Sequence, residues 1–145
     1  MTISSTVTKV SFSGNGSTTV FAYSFKIFEA TDLDVIVRTV STGAESVKTL
    51  TTDYSVSGAG TDAGGNVTFG TAPASGETVV IRRKVPITQG TDYVENNPFG
   101  AESHETALDR LTIIAQQQQE EVDRAIKAPS TDTASLDLPS STARA

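Results

Sequence analysis

The residue types that carry most protein chemistry are scarce in this chain of 145 residues. It contains one histidine, His104, and no cysteine. Disulfides, thiolate metal sites and sites built from several histidines are therefore excluded. A hydrolytic site needs a nucleophile or activated water and a base tuned near neutral pH, and a catalytic triad would depend on His104. The carboxylates are scattered over turns and the helix, and no pair of them is spaced to flank a sugar as a glycosidase requires. We therefore predict that the chain is not an enzyme and that it uses no metal and no cofactor.

A glycine-rich run at residues 58–65 is the second place where chemistry could reside. Loops that cradle phosphates lie between a strand and the start of a helix, whereas residues 67–69 after this run read as a strand. Asp62 and Asn66 could offer oxygens to calcium, but that ion takes about six to eight oxygen ligands. The sequence therefore predicts a flexible connection between two strands rather than a ligand site.

Arg82, Arg83 and Lys84 form the one basic cluster of an acidic chain, which carries 17 acidic and 11 basic residues and a net charge of −6. Alternate residues of a strand point to opposite faces, so Arg83 should point away from its two neighbours. One interpretation is a strand end with one residue paired inward. The other is a docking contact to an acidic partner, for which these three residues are the candidates.

Residues 6–85 read as a succession of short strands separated by turns. Apolar and polar residues alternate with a period of two, as in residues 18–25, where Phe21, Tyr23 and Phe25 share one face. The sequence Gly-Asn-Gly-Ser at residues 14–17 is a strong turn signal, because glycine and asparagine accept positive φ at little cost. About seven such strands with no helix between them predict a mainly β fold, an antiparallel β-sandwich.

Residues 101–127 are the one long stretch with helical periodicity. On a heptad, Ala101, Leu108, Ala115 and Val122 occupy position a, and His104, Leu111, Gln118 and Ala125 occupy position d. This alternating three-four spacing is typical of a helix that buries a narrow seam. The helix either packs on its own domain or associates with copies of itself. We favour self-association as a C-terminal coiled coil, with an oligomer seam made of His104, Leu108, Leu111, Ala115, Gln118, Val122 and Ala125.

Two further features of this helix lead to expectations. Ile113 and Ile114 lie off the seam, so a second apolar surface must be covered by the preceding domain or by another subunit. At the start of the helix, Ser103 is the expected N-cap. At its end, Lys127 suits the last turn and Pro129 prevents continuation.

The organisation of the chain follows from these elements. We predict a β-sandwich domain at residues 1–86, a connector at 87–100, the coiled-coil helix at 101–128, and an extended tail or the start of a shaft at 129–145. No apolar run is long enough to cross a membrane, and the N-terminus lacks the features of a signal peptide. The negative charge argues against nucleic acid and anionic membranes as partners.

Several segments resemble the N-terminal domain of tail fibre and tailspike proteins of T7-like, short-tailed bacteriophages. The residues that carry the resemblance are 18–21 (TTVF), 25–28 (FKIF), 81–83 (IRR), 88–93 (TQGTDY), 97–99 (NPF), 101–105 (AESHE), 107–111 (ALDRL) and the glutamine run 116–119. The resemblance covers roughly residues 10–129, and residues 88–124 are its most specific part.

What the resemblance implies is a virion structural protein, made in the host cytoplasm and located in the tail. In that family a β-domain docks onto the tail, and helices that follow it start a trimeric fibre. The implied partners are other copies of the chain, the adaptor or nozzle proteins of the tail tube, and a separate fibre or spike protein. Receptor binding and polysaccharide cleavage lie in later domains of the family. The sequence leaves open a fragment of a longer fibre or a stand-alone adaptor.

An alternative from another functional class is a carbohydrate-binding or adhesin-type β-sandwich. Aromatic side chains, tryptophan above all, commonly form the floor of sites that bind small ligands. This chain has no tryptophan, and aromatic residues make up only 6% of it. The composition therefore favours the structural connector over the sugar-binding module.

Overall fold

The computed structural model describes residues 3, 5–92 and 100–125. Within these residues the chain forms seven strands, a short 3-10 helix (Ala30–Asp32) between the second and the third of them, and one α-helix after the last. The strands are β1 (Lys9–Ser13), β2 (Val20–Tyr23), β3 (Leu33–Thr39), β4 (Glu45–Val47), β5 (Tyr54–Ser57), β6 (Gly65–Phe69) and β7 (Glu77–Arg83), and the helix is α1 (Ala101–Arg124). The mainly β class is confirmed. The expectations for Lys127, Pro129 and the segment 129–145, and for residues 93–99 of the connector, lie outside the described residues.

The strands form two separate antiparallel sheets. The larger has the order β1-β7-β3-β4 and the smaller has the order β2-β6-β5. In the larger sheet Val35 lies opposite Ile81, and in the smaller sheet Phe21 lies opposite Val67. Among the strands that the structure describes, no ladder joins the two sheets, so the predicted sandwich is open rather than closed.

The apolar faces of the two sheets share one core. Phe21, Tyr23 and Phe25, predicted to share a face, are all buried there, because the period of two in their sequence matches the pleat of a strand. Phe21 contacts Phe69 edge to face with the ring centroids 5.6 Å apart. Burial raises the pKa of the Tyr23 hydroxyl, which donates a hydrogen bond to the carbonyl of Ser57 at 2.6 Å. The core is therefore apolar and aromatic, and the Tyr23 hydroxyl within it has a hydrogen-bond partner.

The glycine-rich run packs against the domain. The N–H of Gly60 donates to the carbonyl of Ile27 at 2.8 Å, and the Lys26 ammonium lies 3.1 Å from the Asp62 carboxylate. Gly64 has a φ of +82°, and a Cβ atom there would lie 2.1 Å from the carbonyl oxygen of Tyr23. Only glycine fits so close to another backbone. The flexible connection expected from the sequence is thus a packed loop.

Helix α1 contacts the chain where β1 begins, where β7 ends and in the segment between β2 and β3. Its N-cap is Gly100, with no side-chain cap hydrogen bond. The expectation that Ser103 caps the helix is wrong, because the helix already begins at Ala101 and Ser103 lies within its first turn. The helix contacts the β-domain through its side chains, and those side chains define the candidate site.

Candidate assembly site: the two faces of the helix

The face of α1 that lies on the sheets is mostly polar. Its buried residues are Asp109, Ile113 and Gln117, which follow one another at every fourth position. Residues spaced in this way lie on one side of a helix. Ile113 is fully buried within the single chain, so of the two covers expected for it, the preceding domain and another subunit, the structure shows the first. Asp109 and Gln117 lie one turn before and one turn after it, so the rest of this face must contact the domain through polar groups.

Gln117 attaches the helix to the chain just beyond β7. Its side-chain carbonyl accepts a hydrogen bond from the N–H of Val85 at 2.8 Å, and its amide nitrogen donates to the carbonyl of Val85 at 3.5 Å. The side chain therefore satisfies both backbone groups of a buried residue. A buried backbone group without a partner is costly, so this pairing links helix placement to the end of the strand.

Arg83 meets the same face of the helix from inside the sheet. Its guanidinium is 3% exposed and donates to the side-chain carbonyl of Gln116 at 2.5 Å and to the backbone carbonyl of Lys26 at 3.3 Å. It also lies 5.7 Å from the ring centroid of Phe25. Among the described residues no carboxylate pairs with it, and burial lowers its pKa to about 10. The predicted inward orientation of Arg83 is confirmed, because the alternation of β7 turns it into the domain.

The other two basic candidates lie on the opposite side of β7. Arg82 donates two hydrogen bonds to one oxygen of Asp34, at 2.6 and 2.9 Å, and the Lys84 ammonium lies 3.9 Å from the same oxygen. Lys84 is exposed and Arg82 is half-buried. A surface contact by this cluster would therefore use Arg82 and Lys84, and docking through them stays a prediction.

Two ion-pair clusters flank these hydrogen bonds along the helix. The Lys26 ammonium lies 3.0 Å from Asp109. Burial by itself lowers the pKa of Lys26, but its hydrogen bonds to Asp109 and Asp62 outweigh that effect and raise it. Near the other end, Glu120 pairs with Lys9 and Arg124, each at 2.8 Å. Burial raises the pKa of Glu120, and the two hydrogen bonds reverse the shift and lower it.

The opposite face of α1 carries the predicted seam, and it is exposed. Leu108, Leu111 and Val122 are 51%, 58% and 51% exposed, and the remaining seam residues His104, Ala115, Gln118 and Ala125 are exposed as well. Monomeric proteins rarely expose several large apolar side chains on one side of a helix unless that surface makes a contact. This stripe is therefore a candidate surface for contact with another polypeptide.

An open groove with an apolar lining lies next to the stripe. It has a volume of about 400 Å³ and lies between residues 87–91 and the first half of α1. Its apolar lining includes Ile87, which is 67% exposed, together with Leu108, Leu111 and Ile114. The sequence placed Ile114 off the seam, and the structure shows it partly covered beside this groove. Ile87 joins the apolar surface only through the fold.

Sequence reasoning missed Gln116 and Gln117 as the residues that orient the helix. It placed Gln118, which is exposed, in the oligomer seam, whereas the two preceding glutamines contact the β-domain. The available signal was the stripe of Asp109, Ile113 and Gln117, which is helical in spacing but mostly polar. A search for apolar periodicity passes over such a stripe.

Residues 3, 5–92 and 100–125 contain neither a candidate metal site nor a candidate membrane-spanning helix. No cluster of three or more histidine, cysteine or acidic side chains there could hold a metal ion. In the same residues, no helix is long and apolar enough to span a membrane.

Comparison with known proteins gives one informative relationship. No protein-family profile matches the chain. Over 130 residues, or 90% of its length, the chain is 39% identical to the tail spike protein of Salmonella phage epsilon15. It spans only 12% of the length of that relative. About nine-tenths of this chain is therefore related to a part of a bacteriophage tail spike protein.

Proposed function

We propose that this chain is the adaptor of a phage tail spike or fibre: its β-domain anchors to the tail, and α1 joins copies of the chain into a fibre. The relationship to a tail spike protein supports a structural role in the virion tail. The single observation that carries the assembly role is the exposed apolar stripe at Leu108, Leu111 and Val122.

The arrangement of the helix supports this role. Its inner face is occupied by contacts to the chain's own domain, so α1 cannot turn the stripe inward without breaking them. The stripe has the three-four spacing that complements another helix of the same kind. The most economical partner is therefore a second α1 presenting the same residues.

Three-fold symmetry is part of the proposal through the resemblance to tail fibre proteins. Small and polar residues at Ala115, Gln118 and Ala125 do not set the number of strands in a coiled coil by themselves. Neighbouring tail proteins, such as a nozzle protein or a separate spike protein, are the proposed partners of the β-domain. We assign the chain a structural and not a catalytic part in that assembly.

The test is the mass of the chain in solution. Leu111→Asp places a charge in the centre of the stripe, where association would bury it without a partner. We expect the wild-type chain to associate at tens of micromolar in light scattering, and the variant to be monomeric with an unchanged circular dichroism spectrum.

The matched control is Val20→Asp, which changes a half-exposed valine on β2, outside the helix. Its mass should equal that of the wild type. A monomeric wild-type chain, or a Leu111→Asp variant that still associates, would contradict the proposed role of the stripe.

A further inference from the structure

The four-stranded sheet has a concave outer face that the sequence did not reveal. An open concavity of about 660 Å³ lies there, bounded by β1, β3, β7 and the C-terminal end of α1. The residues that line it alternate with the core residues Val35, Val37, Val79 and Ile81. The concavity is therefore on the side of the sheet away from the core.

The strand register places an apolar row at the centre of this face. Val80 of β7 lies opposite Ile36 of β3, and Ile36 lies opposite Val47 of β4. Ile36 and Val80 are half-buried, and Val47 is exposed. Neighbouring side chains across an antiparallel pair are about 5 Å apart, so these three form one continuous patch.

Charged side chains border the patch, and cations are in excess. The cations are Lys9, Arg38, Arg82, Lys84 and Arg124, and the carboxylates are Asp34, Glu45 and Glu120. The chain as a whole carries a charge of −6. Nearly half of its basic residues are thus gathered on one face, although they come from four distant segments.

Arg38 is the cation on this face that is free to bind a partner. It is exposed, and within the described part of the chain no carboxylate lies within ion-pair distance of its guanidinium. Glu45 is its cross-strand neighbour, yet the two form no ion pair. By contrast, Arg82 is held by Asp34 and Lys9 is held by Glu120. An incoming carboxylate therefore meets Arg38 without having to displace an existing partner.

We propose that this concave face, here called the basic face, binds a polypeptide segment of another protein that carries carboxylates beside branched apolar side chains. The cations select the carboxylates, and Ile36, Val80 and Val47 receive the apolar groups. Complementary charge fixes orientation and raises the rate of encounter. The apolar row disfavours a sugar phosphate or nucleic acid backbone, which has nothing to place on it.

The inference deepens the proposed function, because it names the docking surface of the β-domain and the chemistry of its neighbour in the tail. It widens the surface from Arg82 and Lys84 to a group that includes Arg38, Lys9 and Arg124. Arg83 is no longer part of the docking surface, because its side chain is buried inside the domain.

The experiment uses the whole chain and a short synthetic peptide in which aspartate and leucine alternate, labelled for fluorescence anisotropy. Matched peptides carry lysine for aspartate, or serine for leucine, and heparin serves as a polyanion without apolar groups. We expect the aspartate–leucine peptide alone to bind, with an affinity that falls as salt increases.

Arg38→Glu should weaken this binding about fivefold to tenfold, since it replaces an attraction at an exposed site by a repulsion. Ile36→Thr should weaken it severalfold without changing the salt dependence. The control Lys48→Glu reverses a cation outside the basic face and should leave affinity unchanged. Thermal unfolding of each variant checks that it folds.

Three results would overturn the inference: no binding of the aspartate–leucine peptide, equal binding of the serine peptide or heparin, or normal peptide affinity of Arg38→Glu. The mass of the chain in solution is measured on the same samples. Because α1 presents its stripe on another surface, loss of peptide binding with normal self-association would reject the basic face and leave the proposed assembly intact.

Discussion

The two faces of α1 differ in a way that is the reverse of an ordinary amphipathic helix. The face on the domain carries Asp109, Gln116 and Gln117 around a single buried isoleucine, Ile113. The face toward water carries the leucines and the valine of the predicted seam. A helix on the surface of a monomeric domain usually buries its apolar stripe and exposes its polar one.

This reversal indicates that the two faces have different tasks. Apolar contacts are non-directional, so they tolerate rotation of a helix about its axis, whereas hydrogen bonds to fixed backbone groups do not. The bonds from Gln117 to Val85 and from Arg83 to Gln116 set the orientation of α1. With the orientation set from inside, the apolar residues are presented outward for association.

The largest expected difference between the two faces comes from a pair of side-chain truncations, one on each face of α1. Ile113→Ala should lower the free energy of unfolding by about 2–5 kcal/mol at every protein concentration, because it leaves a cavity under the helix. Leu111→Ala should lower that of the monomer by less than about 0.5 kcal/mol, because the side chain is exposed. Urea denaturation measured at low and high protein concentration separates the two. Equal losses for both variants would contradict the division of tasks.

A second pair compares neighbouring glutamines. Gln117→Leu leaves the buried N–H and carbonyl of Val85 without partners and should cost about 1–3 kcal/mol of stability. Gln118→Leu is the control, since it changes the adjacent residue on the exposed face and should change monomer stability by less than about 0.5 kcal/mol. In hydrogen exchange, the amide of Val85 should lose protection in the first variant only. Retained protection in Gln117→Leu would show that other contacts hold the helix.

A third pair examines the two carboxylates that share Lys26. Asp109→Asn removes the partner that is almost fully buried and should cost about 1 kcal/mol, whereas Asp62→Asn removes a partner with 43% of its side chain exposed and should cost a few tenths. Chemical denaturation of both single variants and of the double variant gives the comparison. A larger loss of stability for Asp62→Asn would show that Lys26 is held mainly by the loop and not by the helix.

The smallest effect concerns pH. The pKa of Glu120 is lowered below its ordinary value of 4.5 in the folded chain by Arg124 and Lys9. The ion pairs of Glu120 therefore contribute fully to the free energy of unfolding above about pH 4.5. This contribution is lost as the pH falls through the lowered pKa that Glu120 has in the folded chain. We expect at most about 1 kcal/mol, because both cations are partly exposed. The difference in stability between wild type and Glu120→Gln should shrink as the pH falls from 6 to 3, and a constant difference would contradict the assignment.

The sequence by itself determined the strands, the helix and the apolar stripe on that helix. The alternation in residues 18–25 predicted the buried aromatic face, and the alternation of β7 predicted that Arg83 points inward. Likewise, the three-four spacing of Leu108, Leu111 and Val122 identified the apolar stripe. These features follow from backbone geometry, which imposes periods of two and 3.6 on any chain. For the same reason the expected cap at Ser103 failed, since a cap depends on where the first turn closes and not on periodicity.

Only the tertiary structure decided which side of α1 meets the domain. Gln116, Gln117, Gln118 and Gln119 are identical in type, and the docking angle alone determines which of them reach Arg83 and Val85. The same holds for the basic face, where Lys9, Arg38 and Arg124 are far apart in the chain and meet only through strand pairing and helix docking. Hydrogen bonds and charge clusters depend on distances between remote segments, and those distances exist only once the fold has brought the segments together.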